Sequence, residues 1–166
     1  MSQTSSVSDQ LILLENCTDF QEHALSLAQD ARRQIAILST DLDIAVYDRD
    51  EFVSAISQLV RNSRFAQVQI LVKNTKPLIE RGHKLARLSQ RLSSKVLLRK
   101  LTLQPENADM GIMLRDNDGL LFKNDDLVFR GFANYAAAVE VKRLRETFDY
   151  LWQYAEPEPD LQLLHI

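Results

Sequence analysis

The stretch Met110–Tyr135, MGIMLRDNDGLLFKNDDLVFRGFANY, decides how this chain folds. MGIMLRD (110–116) and GLLFK (119–123) are short apolar runs, and the DNDG between them is built from residues that tolerate tight-turn backbone, so a hairpin is expected. KVLLRKL (95–101) is a further strand-like piece, set off by the loop-forming QPENAD. Working outward, LILLE (11–15) is a short strand. Thr18 and Gln21 have the spacing of a capping box, ahead of a helix over about 18–33 whose Phe20, Ala24, Leu27, Ala28 and Ala31 share one face. QIAILST (34–40) and AQVQILVKN (66–74) are interior strands. Between them, DLDIAVYDRD is a polar connection with one helical turn, and Asp50 caps a second helix carrying Phe52, Ile56, Leu59 and Val60. Pro77 opens a third helix with Leu78, Leu85, Leu88 and Leu92 inward. A last helix runs from about Ala133 to Ala155, with Val141, Leu144, Phe148, Leu151 and Trp152 on one stripe, and Glu156-Pro157-Glu158-Pro159 stops it. This alternation predicts one α/β sandwich over residues 10–166, with a mixed, largely parallel sheet flanked by helices, after a polar leader at 1–9.

The chain has 166 residues and a formal charge of −3. That length buries about 70% of the unfolded surface, enough to fold without a disulfide or metal. Cys17 is the sole cysteine. The Ser-rich start lacks a signal-peptide pattern, and no apolar run reaches the roughly 18 residues of a membrane span, so a cytoplasmic protein is expected. The modest net charge hides a polarised distribution. Residues 61–100 hold eleven lysines and arginines against Glu80 alone, a block of +10 that leaves −13 for the remainder. Such a block can concentrate anionic ligands unless acidic segments fold across it.

Within the third helix, ERGHKLARLSQR (80–91), Lys84, Arg87 and Arg91 fall at i, i+3 and i+7 and form one cationic row. A solvated face would explain them. So would a phosphate-binding surface, because Lys73, Lys76 and Arg81 cluster at the strand-to-helix junction where α/β folds place ligands. His83 is open to three roles: a structural or capping group, a ligand contact, or a general acid–base. Its cationic neighbours should depress its pKa. Gly82 inside a helix costs roughly 1 kcal/mol relative to alanine, which suggests close packing or a ligand against the backbone. His23, His83 and His165 are too dispersed for a metal site, and TDLD (40–43) is most simply a loop and helix cap. No nucleotide-binding glycine loop or nucleophile elbow is present, and no cofactor is expected.

The order of AQVQILVKN, a helix, the 110–135 stretch and a helix ending FDYLW (148–152) resembles one half of the phospholipase D superfamily over roughly residues 34–155. RGFANY (130–135) looks like that family's Gly-Ser-Ala-Asn segment, and the RGH triplet is similar to one in a bacterial branch of these domains. The resemblance implies a His-x-Lys-x4-Asp motif. Counted back from Asp116, however, its lysine position holds Gly111 and its histidine position Asp109. The imidazole that would attack phosphorus is missing, and so is the lysine that would stabilise the charged oxygens.

The leading expectation is therefore a catalytically inactive phospholipase D-like module. It would bind an anionic ligand, a nucleic acid or a phosphorylated small molecule, through Lys73, Lys76, Arg81, His83, Lys84, Arg87 and Arg91. Two alternatives remain: a divergent phosphodiesterase or phosphotransferase using His83 with Asp41 or Asp116, and a homodimeric assembly domain, since single-half members of the superfamily pair to complete their site.

Overall fold

The computed structural model describes residues 11–104 and 108–162; the expected leader at 1–9 and His165 lie outside them. The chain runs β1 (Leu11–Leu14), α1 (Cys17–Asp30), β2 (Gln34–Ser39), α2 (Ile44–Tyr47), α3 (Asp50–Asn62), β3 (Gln67–Val72), α4 (Lys76–Arg81), α5 (Lys84–Arg91), β4 (Val96–Lys100), β5 (Gly111–Arg115), β6 (Gly119–Lys123), β7 (Gly131–Asn134), α6 (Ala138–Tyr154) and α7 (Pro159–Gln162).

Seven strands form one sheet in the order β1-β7-β6-β5-β2-β3-β4. The α/β class and the mixed sheet match expectation, but the balance of directions does not. Only β2–β3 and β3–β4 are parallel. The β2–β5, β5–β6, β6–β7 and β1–β7 pairs are antiparallel, so the sheet is mostly antiparallel rather than largely parallel. The connections supply the reason. Helices α3 and α4–α5 carry the chain back to the starting end of the sheet, so β2, β3 and β4 share a direction. Among the described residues no helix separates β4 from β5. The chain remains at the end where β2, β3 and β4 finish, held there by the Leu101 amide on the Val72 carbonyl. From there β5 can only run back.

β2 and β3 are mostly apolar because both faces are covered over most of their length. Ile35, Ile37, Val68 and Ile70 meet Phe20, Leu27, Phe52, Ile56, Leu85 and Leu88 from α1, α3 and α5. Ala36, Leu38, Leu71, Ile112 and Leu114 meet Val141, Phe148 and Leu151 from α6. The last helix starts five residues later than expected. Residues 131–134 instead form β7, paired on both edges, and this two-sided pairing overrides the helical preference of FANYAAA.

Three further differences arise from side chains that take up backbone amides. The cap of α1 is Asn16, whose side chain accepts from the Asp19 amide while Asp19 accepts from Glu15, so the capping pair sits two residues ahead of the expected one. The helix ends at Asp30 because the Asp116 carboxylate captures the amides of Arg32, Arg33 and Gln34 at 2.8–3.0 Å. Asp116 itself takes a left-handed φ of 51° in the β5–β6 turn, a conformation aspartate tolerates. The third helix is also two helices. Gly82 lies between them at φ 81°, capping α4 rather than sitting in a helix interior.

His83 then starts α5. It is buried, its Nδ1 accepts the Leu85 amide at 3.1 Å, and its Nε2 donates to the Leu42 carbonyl at 2.8 Å. Burial holds its pKa below the ordinary 6.5; Asp48 and the bond to Leu42 pull upward, and Arg81 and Arg87 push further down. The sequence-based expectation of a depressed pKa therefore has the right direction, with desolvation rather than like charge as the main cause.

Removing the Asp116 carboxylate should strand three amides. Asp116→Ala is expected to cost about 2 kcal/mol in chemical denaturation, with Asp116→Asn losing less. An unchanged midpoint for Asp116→Ala would contradict the assigned role. For His83, the unfolded chain binds the proton more readily than the folded one. Its contribution to stability is therefore complete above about pH 7 and declines as pH falls through 6.5 toward the folded pKa. His83→Asn, which retains a capping acceptor, should flatten this part of a Tm-versus-pH profile. An unaltered profile would count against it.

Candidate functional site

In the superfamily register, the reacting groups would converge at the start of β5, beside the finishing ends of β2 and β3. The space around Gly111 at this end of the sheet is filled, although a pocket of about 330 Å³ opens beside it between Thr40, Lys73, Leu101, Asp109 and Asp125. Gly111 is buried, and a Cβ there would overlap the Asp126 carboxylate. Asp126 Oδ2 accepts from Ser39 Oγ at 3.0 Å and from the Thr40 amide at 2.8 Å, while its own amide donates to Asp109 O at 2.7 Å. Lys123 Nζ donates to the Asp126 carbonyl at 2.9 Å and lies 3.7 Å from both Asp126 Oδ1 and Asp43 Oδ2. Its ammonium also sits 4.6 Å from the Phe129 ring centre and 5.2 Å from that of Phe20. Among Phe20, Tyr47, Gly111, Lys123 and Asp126 only about 10 Å³ remains, at the lower limit for a single water. Tyr47, fully buried here, has its hydroxyl pKa pushed up by burial and by Asp126 and Asp43.

The electrostatics of this end are acidic. Burial, then Asp126 and Asp43, raise the Asp41 pKa against the opposing pull of Arg81. Lys73, expected to bind ligand, is turned toward the chain: its Nζ donates to the carbonyls of Ala108 and Met110. Burial lowers its pKa while Asp126, Asp109 and Asp125 oppose that. The segment resembling Gly-Ser-Ala-Asn does not complete a site. Gly131 is beside Lys123, but Asn134 pairs with Leu11 and Leu120 at the opposite end of the sheet. Asp116 is at that opposite end too, whereas His83 bonds Leu42, just past β2. The six residues of β2 put roughly 20 Å between these positions. His83 and Asp116 therefore do not converge, and both ring nitrogens of His83 are engaged.

Sequence reasoning missed Lys123 and Asp126. The available signal was a lysine closing the otherwise apolar GLLFK, followed at once by two aspartates. Its meaning depends on Gly111 lying directly across the hairpin, which only the β5–β6 register reveals.

The other expected cations lie on the outer surface of α4 and α5. Leu85, Ala86 and Leu88 are buried, whereas Lys84, Arg87 and Arg91 are exposed as one row. Arg81 and Lys76 continue it at the α4 end, also exposed. Lys84 pairs with Asp50 at 3.0 Å and Lys76 reaches Glu80 at 4.0 Å. The Arg87 guanidinium lies over Gly82, where a Cβ would come within 2.9 Å of Nη2. The first amides of α5 are not free for an anion: Asp48 takes that of Lys84 and His83 that of Leu85. Binding on this face would rest on side-chain charge. Two further cations of the +10 block have structural partners. Lys95 donates to the carbonyls of Ser63 and Arg64, and Arg99 to that of Trp152 while stacking on its ring.

The fold has known counterparts. The archaeal chromatin protein TrmBL2, described with a novel mode of DNA binding, superposes with a TM-score of 0.66 at 18% identity over 93% of this chain and 56% of its own. NucT from Helicobacter pylori gives 0.66 at 11% identity, covering 89% of this chain and 98% of NucT. Phosphatidylserine synthase from Haemophilus influenzae Rd KW20 gives 0.63 at 10% identity, over 96% of this chain and 40% of the synthase. The chain thus spans about half the length of the archaeal protein and less of the synthase. These likenesses establish a phospholipase D-like fold. No curated protein matches by sequence. Among the described residues no helix is long and apolar enough to cross a membrane. Residues 16–164 match the family described as Domain of unknown function (DUF7931), and the chain belongs to it.

Proposed function

We propose that this domain is a catalytically inactive phospholipase D-like binding module that holds the phosphate backbone of a nucleic acid on the α4–α5 surface. The observation that carries the reading is the exposed row Lys84, Arg87 and Arg91, extended by Arg81 and Lys76. Among these, Arg81, Arg87 and Arg91 have no ion pair within the described residues. Two side chains from the sequence-based set contribute differently. Lys73 braces the 108–110 turn, and His83 shapes the surface by starting α5 rather than by touching ligand. The packed Asp126 and Lys123 support inactivity, because they fill the space around Gly111, and the neighbouring pocket of about 330 Å³ past the ends of β2 and β3 presents Asp109 and Asp125 to an approaching phosphate, with Lys73 held by backbone carbonyls. The archaeal relative's described DNA binding accords with this ligand class.

Binding should be strongly salt-dependent, since displacement of phosphate counterions supplies its free energy. In fluorescence anisotropy with a labelled oligonucleotide, affinity should fall steeply between about 50 and 200 mM salt. Arg87→Glu with Arg91→Glu should weaken it at least about tenfold and reduce the log–log salt slope by about two. Wild-type protein should leave the oligonucleotide and a simple phosphodiester intact. A flat salt response, or an unaffected double variant, would overturn the proposal.

A further inference from the structure

At the end of the sheet opposite the filled site, a groove of about 460 Å³ opens on the α6 side. This volume is within the range of about 300–1,000 Å³ typical of small-ligand sites. It is lined by Gln34, Gln67 and Gln69 from the strands, by Arg64 and Phe65, and by Lys95, Arg145 and Asp149 among others. Gln34 and Gln67 are register partners, and Gln69 is two residues along the same strand face. Three amide side chains therefore stand in a row where the rest of β2 and β3, apart from the buried Ser39, is apolar. Beside them Phe65 is 66% exposed, with the Arg64 guanidinium 5.0 Å from its ring centre. Arg145 is anchored by donating to the Asp116 carbonyl at 3.0 Å.

This exposed aromatic ring shares its groove with three cations, three glutamines and one carboxylate, Asp149. An arginine-backed ring stacks on the π-face of any base. Amide side chains present donors and acceptors that match base edges, and guanidinium groups hold phosphate. A duplex keeps its bases stacked inward and cannot bring one to Phe65, whereas a single strand can. The position fits a continuous path as well: Arg91 ends α5, the 92–95 turn follows, and Lys95 clamps the Ser63 and Arg64 carbonyls next to the groove. From these observations we infer that the groove is a single-stranded nucleic-acid subsite, with a base stacked on Phe65 and its phosphate on Arg64 and Arg145. It extends the reading of the α5 surface and can fail separately from it.

The test uses the full chain with labelled oligothymidylate of about ten nucleotides and a duplex of equal length. Phe65→Ala removes only an exposed ring, so the fold should be retained. It is expected to weaken single-strand binding at least about fivefold while leaving the duplex unaffected. Phe65→Trp should retain affinity and show indole fluorescence quenched by the single strand. Equal single-strand affinity for Phe65→Ala and wild type, or no quenching in Phe65→Trp at saturating oligonucleotide, would overturn the subsite. If Phe65→Ala loses binding while the Arg87/Arg91 double variant does not, the groove stands and the α5 reading falls. The reverse result removes the groove alone.

Discussion

The buried contact between Asp126, Lys123 and the strand ends governs this molecule. One carboxylate ties the finish of β2 to the loop after β6, and it does so in space that any side chain at position 111 would claim. A buried charge persists only where it is paired and hydrogen-bonded, and this one has a hydroxyl, an amide and an ammonium around it. Removing one member of such a set is costly because it leaves another charge buried alone. The packing therefore both secures the sheet and fills the space around position 111.

Charge is also divided between two regions. The finishing ends of β2 and β3 gather Asp41, Asp43, Asp109, Asp125 and Asp126 around two engaged lysines. The α4–α5 surface carries Arg81, Arg87 and Arg91 and the opposite rim carries Arg64, none of them in an ion pair among the described residues. Anionic ligands would be disfavoured at the first location and attracted to the second. The net charge of −3 averages the two and conceals both.

Much of the architecture was legible from the residue pattern. Short runs rich in β-branched and apolar residues, separated by amphipathic stretches, identify β2, β3 and the intervening α3, and DNDG marks the hairpin. Strand direction was less accessible, because it depends on whether a connection spans the sheet or stays at one end, and the 101–110 segment bears no mark of which. FANYAAA has helical composition, yet β7 gains two neighbouring strands there, a tertiary effect invisible to local preference. The surviving Asp116 illustrates the same limit. Its position in a catalytic motif suggested chemistry, while its actual work is to hold three amides at the start of β2. The cationic row on α5 was legible because helical spacing alone fixes which side chains share a face. The groove was not, since Gln34, Phe65 and Arg145 meet only through the sheet and α6.

The central claim is that the ligand surface and the filled phospholipase D-like position are at different places. Backbone amide NMR during titration with a short oligonucleotide tests it directly. The account predicts that the largest shifts occur at residues 84–91 and around Arg64–Gln67, with the amides of Gly111 and Asp126 unmoved. Largest shifts at Gly111 and Lys123–Asp126, with α5 silent, would contradict it.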